Sequence, residues 1–193
     1  MRTFLRYRLW PAFALLVVLT LITGVIYPAV VTIVAQGVFP TQANGSMIVV
    51  DGRTVGSSLI GQAFSDDKYF WGRPSAAGKD GYDASGSAGT NLASTSKALI
   101  DRIAAEVDRE RSANGGGQVP VDLVTTSASG LDPDISPAAA EYQVARVAAA
   151  RGMTQAAVRA VVNRHTEGQL LGFLGEARVN VLALNLDLDG LLR

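Results

Sequence analysis

The residues of this chain best equipped for general-base or nucleophilic work are one histidine, His165, and the serines of Ser127-Ala128-Ser129-Gly130. A serine nucleophile needs a base within hydrogen-bond reach and a third group to orient that base. His165 would have to be the base, and it sits in a helix-like stretch with no carboxylate pattern beside it, so a solvated helix histidine is expected. No Gly-x-Ser-x-Gly elbow occurs. With no cysteine in the chain, thiol catalysis and zinc-thiolate sites are excluded. Gly115-Gly116-Gly117 lacks the following Lys with Ser or Thr that a phosphate-cradling loop requires, and reads as a connector. Asp66-Asp67, Asp80, Asp83 and Asp132-Pro133-Asp134 fall among turn formers, where an Asp side chain bonds the local backbone; cation binding is the alternative. The expectation is a protein with no catalytic residues and no metal site.

Composition sets the frame for these residues. The chain has 193 residues, 48% hydrophobic and 18% charged, with zero formal charge, which suits one core and an appendage. Three of the 17 basic residues, Arg2, Arg6 and Arg8, lie at the start, which leaves 14 against 17 acidic residues in the rest. That mild acidity argues against a nucleic-acid partner.

No charge occurs between Arg8 and Asp51, and Ala12 to Ala35 is almost wholly apolar. As a helix this run spans about 36 Å, enough to cross a bilayer. Pro11 suits a first helical turn, and Pro28 should kink the last third. The three arginines before the run predict a cytoplasmic N-terminus. Residues 1–10 are then cytoplasmic, 11–36 transmembrane and 37–193 outside the cytoplasm. A cleaved signal peptide is the rival, with Thr41-Gln42-Ala43 as a loose cleavage site, but the apolar run exceeds the roughly 7–15 residues of a signal core. Thr20 and Gly24, four apart, present small side chains on one face and are candidate residues for packing against another membrane helix.

Beyond the span, Met47-Ile48-Val49-Val50, the pair Asp51-Gly52 and Arg53-Thr54-Val55 read as a β-hairpin. The cluster Tyr69-Phe70-Trp71-Gly72-Arg73-Pro74 leads into a long loop from Ser75 to Asn91, either functional or merely flexible. Leu99, Ile103 and Val107 predict an amphipathic helix from about Thr95 to Ser112. Val119 to Ala128 is β-prone. Ser136 and Pro137 open a helix that Gly152 stops after Arg151, and Thr154 caps the next, with Val158, Val161 and Val162 inward. Leu182, Leu184, Leu186 and Leu188 alternate with Ala183, Asn185 and Asp187, which predicts a half-buried strand from Val179 to Leu188. The fold class is α/β (mixed α+β), outside the cytoplasm, with one N-terminal transmembrane helix.

Several stretches, in order, resemble the C subunit of the Kdp-type potassium-transporting P-type ATPase. They are Leu21-Ile22-Thr23-Gly24-Val25-Ile26-Tyr27-Pro28, Gln42-Ala43-Asn44-Gly45-Ser46, Ser58-Leu59-Ile60-Gly61-Gln62, Tyr69-Phe70-Trp71-Gly72-Arg73-Pro74-Ser75-Ala76, Val119-Pro120-Val121-Asp122-Leu123-Val124-Thr125, Ser127-Ala128-Ser129-Gly130-Leu131-Asp132, Gln143-Val144-Ala145-Arg146-Val147 with its continuation to Arg151, and Val179-Asn180-Val181-Leu182-Ala183-Leu184-Asn185-Leu186. The resemblance implies a single-pass accessory subunit of the cell (inner) membrane. Its partners would be a channel-like potassium-binding subunit, a P-type ATPase subunit that hydrolyses ATP, and a small single-helix subunit. ATP and potassium are handled by that complex, and this chain has no cofactor of its own. The family is also described as a catalytic chaperone that raises the ATP affinity of the hydrolysing subunit, with the glutamine at Gln143 as a nucleotide-binding residue. Read from the residues alone, Gln143 is a polar residue on a capped helix of the exported domain, roughly 30 Å of hydrocarbon away from cytoplasmic ATP. An anchored envelope enzyme or ligand-binding domain unrelated to transport is the alternative.

Overall fold

The computed structural model describes residues 5–191. The chain divides into two compact units, Met1–Met47 and Ile48–Arg193.

The first unit is dominated by helix α1, Arg6–Val38, an apolar helix long enough to be a candidate membrane span. None of its residues is buried within the chain. At 1.5 Å per residue it extends about 50 Å, more than the roughly 30 Å of a hydrocarbon core. Two α-helical stretches, Trp10–Leu21 and Tyr27–Val38, flank a π-turn at Ile22–Ile26. The reason lies at Pro28, which has no N–H to give and whose ring crowds the carbonyl one turn back; the wider turn just before it absorbs the misfit. A short helix α2, Pro40–Ala43, follows, and Asn44 exchanges side-chain hydrogen bonds with Gln36 at 3.1 and 3.3 Å.

The hairpin strands β1 (Met47–Val50) and β2 (Arg53–Ser57) follow, and all but the first residue of β1 belong to the second unit. Asp51 and Gly52 both have positive φ (50° and 76°), the requirement of the tight turn that this dipeptide predicts. Helix α3 runs Lys97–Asn114 and ends at Gly115 in the left-handed conformation. A short sheet places β5 (Arg178–Asn180) between β3 (Asp134–Ile135) and β4 (Thr166–Glu167), both antiparallel to it, with Ile135 and Thr166 opposite Val179. Helices α4 (Pro137–Arg151) and α5 (Gln155–Arg164) form the main packed pair. Ser136 caps α4 by accepting from the Ala139 N–H, and Thr154 caps α5 by accepting from Ala157. The core gathers Phe70, Leu123, Val144, Val147, Val158, Val179 and Leu184 between these helices and the sheet.

Two segments differ from their sequence pattern. Val179–Leu188 is not a strand: only Arg178–Asn180 is extended, and Val181–Leu188 forms helix α6. Asn180 caps it, its side chain accepting from the Ala183 N–H at 3.0 Å. Val181, Leu182, Leu184, Asn185 and Leu186 are all buried, so the helix lacks the polar face from which a 3.6-residue period is read. The β-prone Val119–Ala128 likewise holds no described strand; it carries a 3-10 turn at Val121–Leu123. There Asp122 accepts from both the N–H and the hydroxyl of Ser136, tying the turn to the start of α4.

Candidate functional site

The stretch Asp67–Trp71 has no strand to pair with, yet Phe70 in its middle is fully buried. Its backbone must therefore find partners elsewhere. Five successive carbonyls each accept from a side chain. Arg146 donates through Nη1 to Asp67 and Tyr69 (2.7 and 3.0 Å), Arg151 to Lys68 (2.6 Å), Asn185 to Phe70 (3.0 Å) and Gln143 to Trp71 (3.1 Å). In return the Phe70 and Trp71 N–H groups donate to the side-chain oxygens of Asn185 and Gln143, each at 2.8 Å. Each amide therefore pairs with both backbone groups of one residue, as a neighbouring strand would.

This geometry places Gln143 in the interior. It is 0% exposed, and its oxygen also accepts from Arg146 Nη2 at 2.7 Å, so the amide is fully committed. Arg146 stacks on the Trp71 ring, 3.9 Å from its centre, and reaches Asn114 Oδ1 at 3.0 Å. Burial lowers its pKa from the usual guanidinium value, against the pull of Asp67 and Glu110. Glu110 accepts from Arg109 at 2.9 Å and Asn114 at 3.0 Å; burial pushes its carboxyl up and Arg109 draws it down. The polar residues at Gln143, Arg146 and Arg151 are one inward stripe on an Ala- and Val-rich helix, and that stripe was the available signal for the strapped segment.

The long loop from Ser75 is pinned. Ser75 Oγ donates to the Gly130 carbonyl at 2.6 Å and accepts from the Ala77 and Tyr82 N–H groups. The Tyr82 hydroxyl donates to the Arg73 carbonyl at 2.6 Å, and burial pushes its pKa up to about 12. Ser127 and Ser129 accept from the Gly130 and Leu131 N–H groups, so these serines serve turns. The Asp side chains do the same: Asp66, Asp83 and Asp132 each accept from an N–H two residues on. No three His, Asp or Glu side chains gather as metal ligands among the described residues.

His165 is not a freely solvated helix residue. It lies at the end of α5, part-buried, with Nε2 2.8 Å from Asp187 Oδ2 on α6. The hydrogen bond from His165, with Arg164 adding to it, lowers the Asp187 pKa. The partner is 22 residues away in sequence, beyond the reach of local pattern.

A feature that the sequence reading passed over is the loop Leu170-Leu171-Gly172-Phe173-Leu174. Its four large apolar side chains are 69, 76, 71 and 48% exposed in chain order. The backbone is closed by reciprocal bonds between Leu170 and Leu174 (2.9 Å each way), and Gln169 Nε2 donates to the Gly175 carbonyl. Leu171 holds a left-handed φ of 56°, a conformation that costs a non-glycine residue energy and that this closed loop imposes. Four apolar residues between Gly168 and Gly175 were the readable signal.

On α1, Thr20 and Gly24 are both exposed, and a side chain at Gly24 would meet only the Thr20 methyl at 4.0 Å. The face is open to a neighbouring helix. Gly24→Leu is expected to insert in the membrane normally but to lower recovery of the chain with its partners severalfold, read by affinity purification. Unchanged recovery would move the contact off this face.

Comparison with known proteins matches residues 9–190 to the family model KdpC, described as K+-transporting ATPase, c chain. The Potassium-transporting ATPase KdpC subunit of Sorangium cellulosum is 58% identical over 182 residues, 93% of this chain and 96% of that protein. The protein of the same name from Polaromonas naphthalenivorans is 58% identical over 183 residues, 94% and 93% of the two chains. That from Bradyrhizobium diazoefficiens is 56% identical over 190 residues. With a family match across nearly the whole length, and relatives well above half identical, this chain belongs to the KdpC family, the c chain of the K+-transporting ATPase.

Proposed function

We propose that this chain is a non-catalytic, membrane-anchored subunit of an ATP-driven potassium uptake complex, which it serves by docking its folded domain onto the other chains. Helix α1 is the anchor, with the basic N-terminus in the cytoplasm and residues from about 37 onward outside it. The domain then stands at the outer mouth of the potassium path, where it assists assembly and ion access. The partners are a channel-like potassium-binding chain, the hydrolysing chain and a small single-helix chain.

The observation that carries this reading is the Leu170–Leu174 tip. A contiguous apolar projection exposed on a folded domain marks an interaction site. Its closed backbone means that little freedom is lost when it is buried against a partner. Replacing Phe173 by cysteine gives a direct test in this cysteine-free chain. Alkylation of that thiol is expected to slow at least ~tenfold when the chain is assembled with the other subunits. Equal rates for the free and assembled chain would refute docking through the tip.

A second reading makes the domain a modulator of ATP affinity through Gln143. The commitment of that amide to Trp71 and Arg146 favours a structural role for it, with any effect on ATP transmitted through the subunit interface.

A further inference from the structure

The Leu170–Leu174 tip grows out of a surface whose charge is one-sided. Just beyond the tip, Glu176 shares a notch of about 320 Å³ with Asp122, Asp132, Asp134, Arg73 and Arg178. Both guanidiniums there are already paired. Arg73 donates to Asp132 at 3.0 Å, and Arg178 is drawn by Glu167 at 2.8 Å and Asp134 at 3.4 Å. Four carboxylates line the notch and Glu167, on β4 at the entry to the tip, makes a fifth, against two guanidiniums. The Glu167 hydrogen bond, with Asp134 and Asp132 adding to it, raises the Arg178 pKa. Glu176 itself is exposed and meets no hydrogen-bond donor or cation among the described residues.

These carboxylates do not converge on an ion, since no three of them gather as metal ligands among the described residues. They charge the surface around an apolar knob, and that charge selects what can cover it. A tip bearing Phe173 and three leucines also suits a lipid surface, but apolar elements that lie in one gain from Lys or Arg beside them, which anionic headgroups attract. Carboxylates at the root are repelled there and lose hydration. Against a protein the same charge is favourable where the rim of the receiving pocket is basic. We propose that the tip docks on a basic surface of a neighbouring subunit, where its apolar side chains fill a pocket and Glu176, with the carboxylates behind it, faces Lys or Arg side chains on the rim. This assignment rests on the docking role of the tip and adds the chemistry of the surface that receives it. Such complementarity fixes orientation and partner choice, and it weakens with salt.

Glu176 is the residue to change, because no bond within the domain depends on it. Full-length variants compete with the wild-type chain for the other subunits at low ionic strength. Glu176→Lys is expected to lower incorporation at least ~threefold and Glu176→Gln to lower it less, with thermal midpoints unchanged and the difference narrowing as sodium chloride is added. Incorporation of Glu176→Lys at or above the wild-type level overturns the proposal. Protection of the Phe173→Cys thiol on assembly would then still support docking of the tip, so the two readings fail separately. The lipid alternative is read from Phe173→Cys carrying an environment-sensitive dye, with the full chain alone in vesicles of anionic phospholipid. Emission typical of water is expected there, moving to that of an apolar medium only when the other subunits are present. An apolar emission in partner-free vesicles assigns the tip to the membrane and overturns the proposal as well.

Discussion

Gln143→Ala is expected to destabilise the domain by about 3–5 kcal/mol, a large share of the ~5–15 kcal/mol that holds an ordinary domain together. The truncation strips the Trp71 N–H and carbonyl of their partners and removes an acceptor from Arg146, all in or next to the core. Each buried polar group left unpaired costs roughly 1–3 kcal/mol, and the lost side-chain volume adds a cavity. Urea unfolding followed by Trp71 fluorescence, in a Trp10→Phe background, reads the change. A loss under about 1 kcal/mol would show that the amide is not what holds the segment. Complexes that retain the variant chain should need less than tenfold more ATP for half-maximal hydrolysis. A larger rise, above about 1.4 kcal/mol, with assembly preserved would favour a nucleotide role for Gln143.

Leu171→Ser combined with Phe173→Ser is expected to reduce recovery of the chain with its partner subunits at least ~tenfold while leaving its unfolding midpoint in place. The two side chains are 76 and 71% exposed, so the fold gains little from them and loses little without them. Burial of two large apolar side chains against a partner contributes roughly 1.5–3 kcal/mol each, although entropy and ordering offset part of this on association. A variant that unfolds earlier would place the tip among the supports of the domain. One that assembles normally would remove it from the interface.

How much of this was legible in the sequence depended on whether the deciding interaction was local. Ser136, Gly152 and Thr154 mark helix ends through bonds to residues three or four positions away, Pro137 marks one by the N–H it lacks, and both helices lie where those residues put them. Asp51-Gly52 marks a turn that needs two positive φ values, and the hairpin is there. The strands β3, β4 and β5, of two or three residues, are too short to show an alternating period. The alternating leucines of α6 mislead because nearly every side of that helix is covered, so that burial follows no stripe; Asn180 as a cap was the better guide.

The candidate site was legible as a set of stretches but not as an arrangement. Tyr69-Phe70-Trp71 and Gln143-Val144-Ala145-Arg146 are more than 70 residues apart, and what joins them is side chain to backbone, which no periodicity encodes. The same holds for His165 and Asp187. Phe70 and Trp71 are apolar and lie outside any helix or strand, and their backbone partners are amides projecting from two helices. The family stretch around Gln143 thereby acquires a physical reason: its glutamine and arginines are the partners that a missing strand would supply.

That the domain works from the outer side of the membrane is the claim on which the functional reading turns, and one labelling measurement tests it most directly. The chain has no cysteine, and Ala156 is exposed on α5, so Ala156→Cys introduces a single reactive thiol on the domain surface. A membrane-impermeant maleimide is applied to intact cells and to inverted membrane vesicles. Labelling of this chain in intact cells, with protection in inverted vesicles, is the expected result; labelling in inverted vesicles alone would put the domain in the cytoplasm and contradict the proposal that it stands on the outer side.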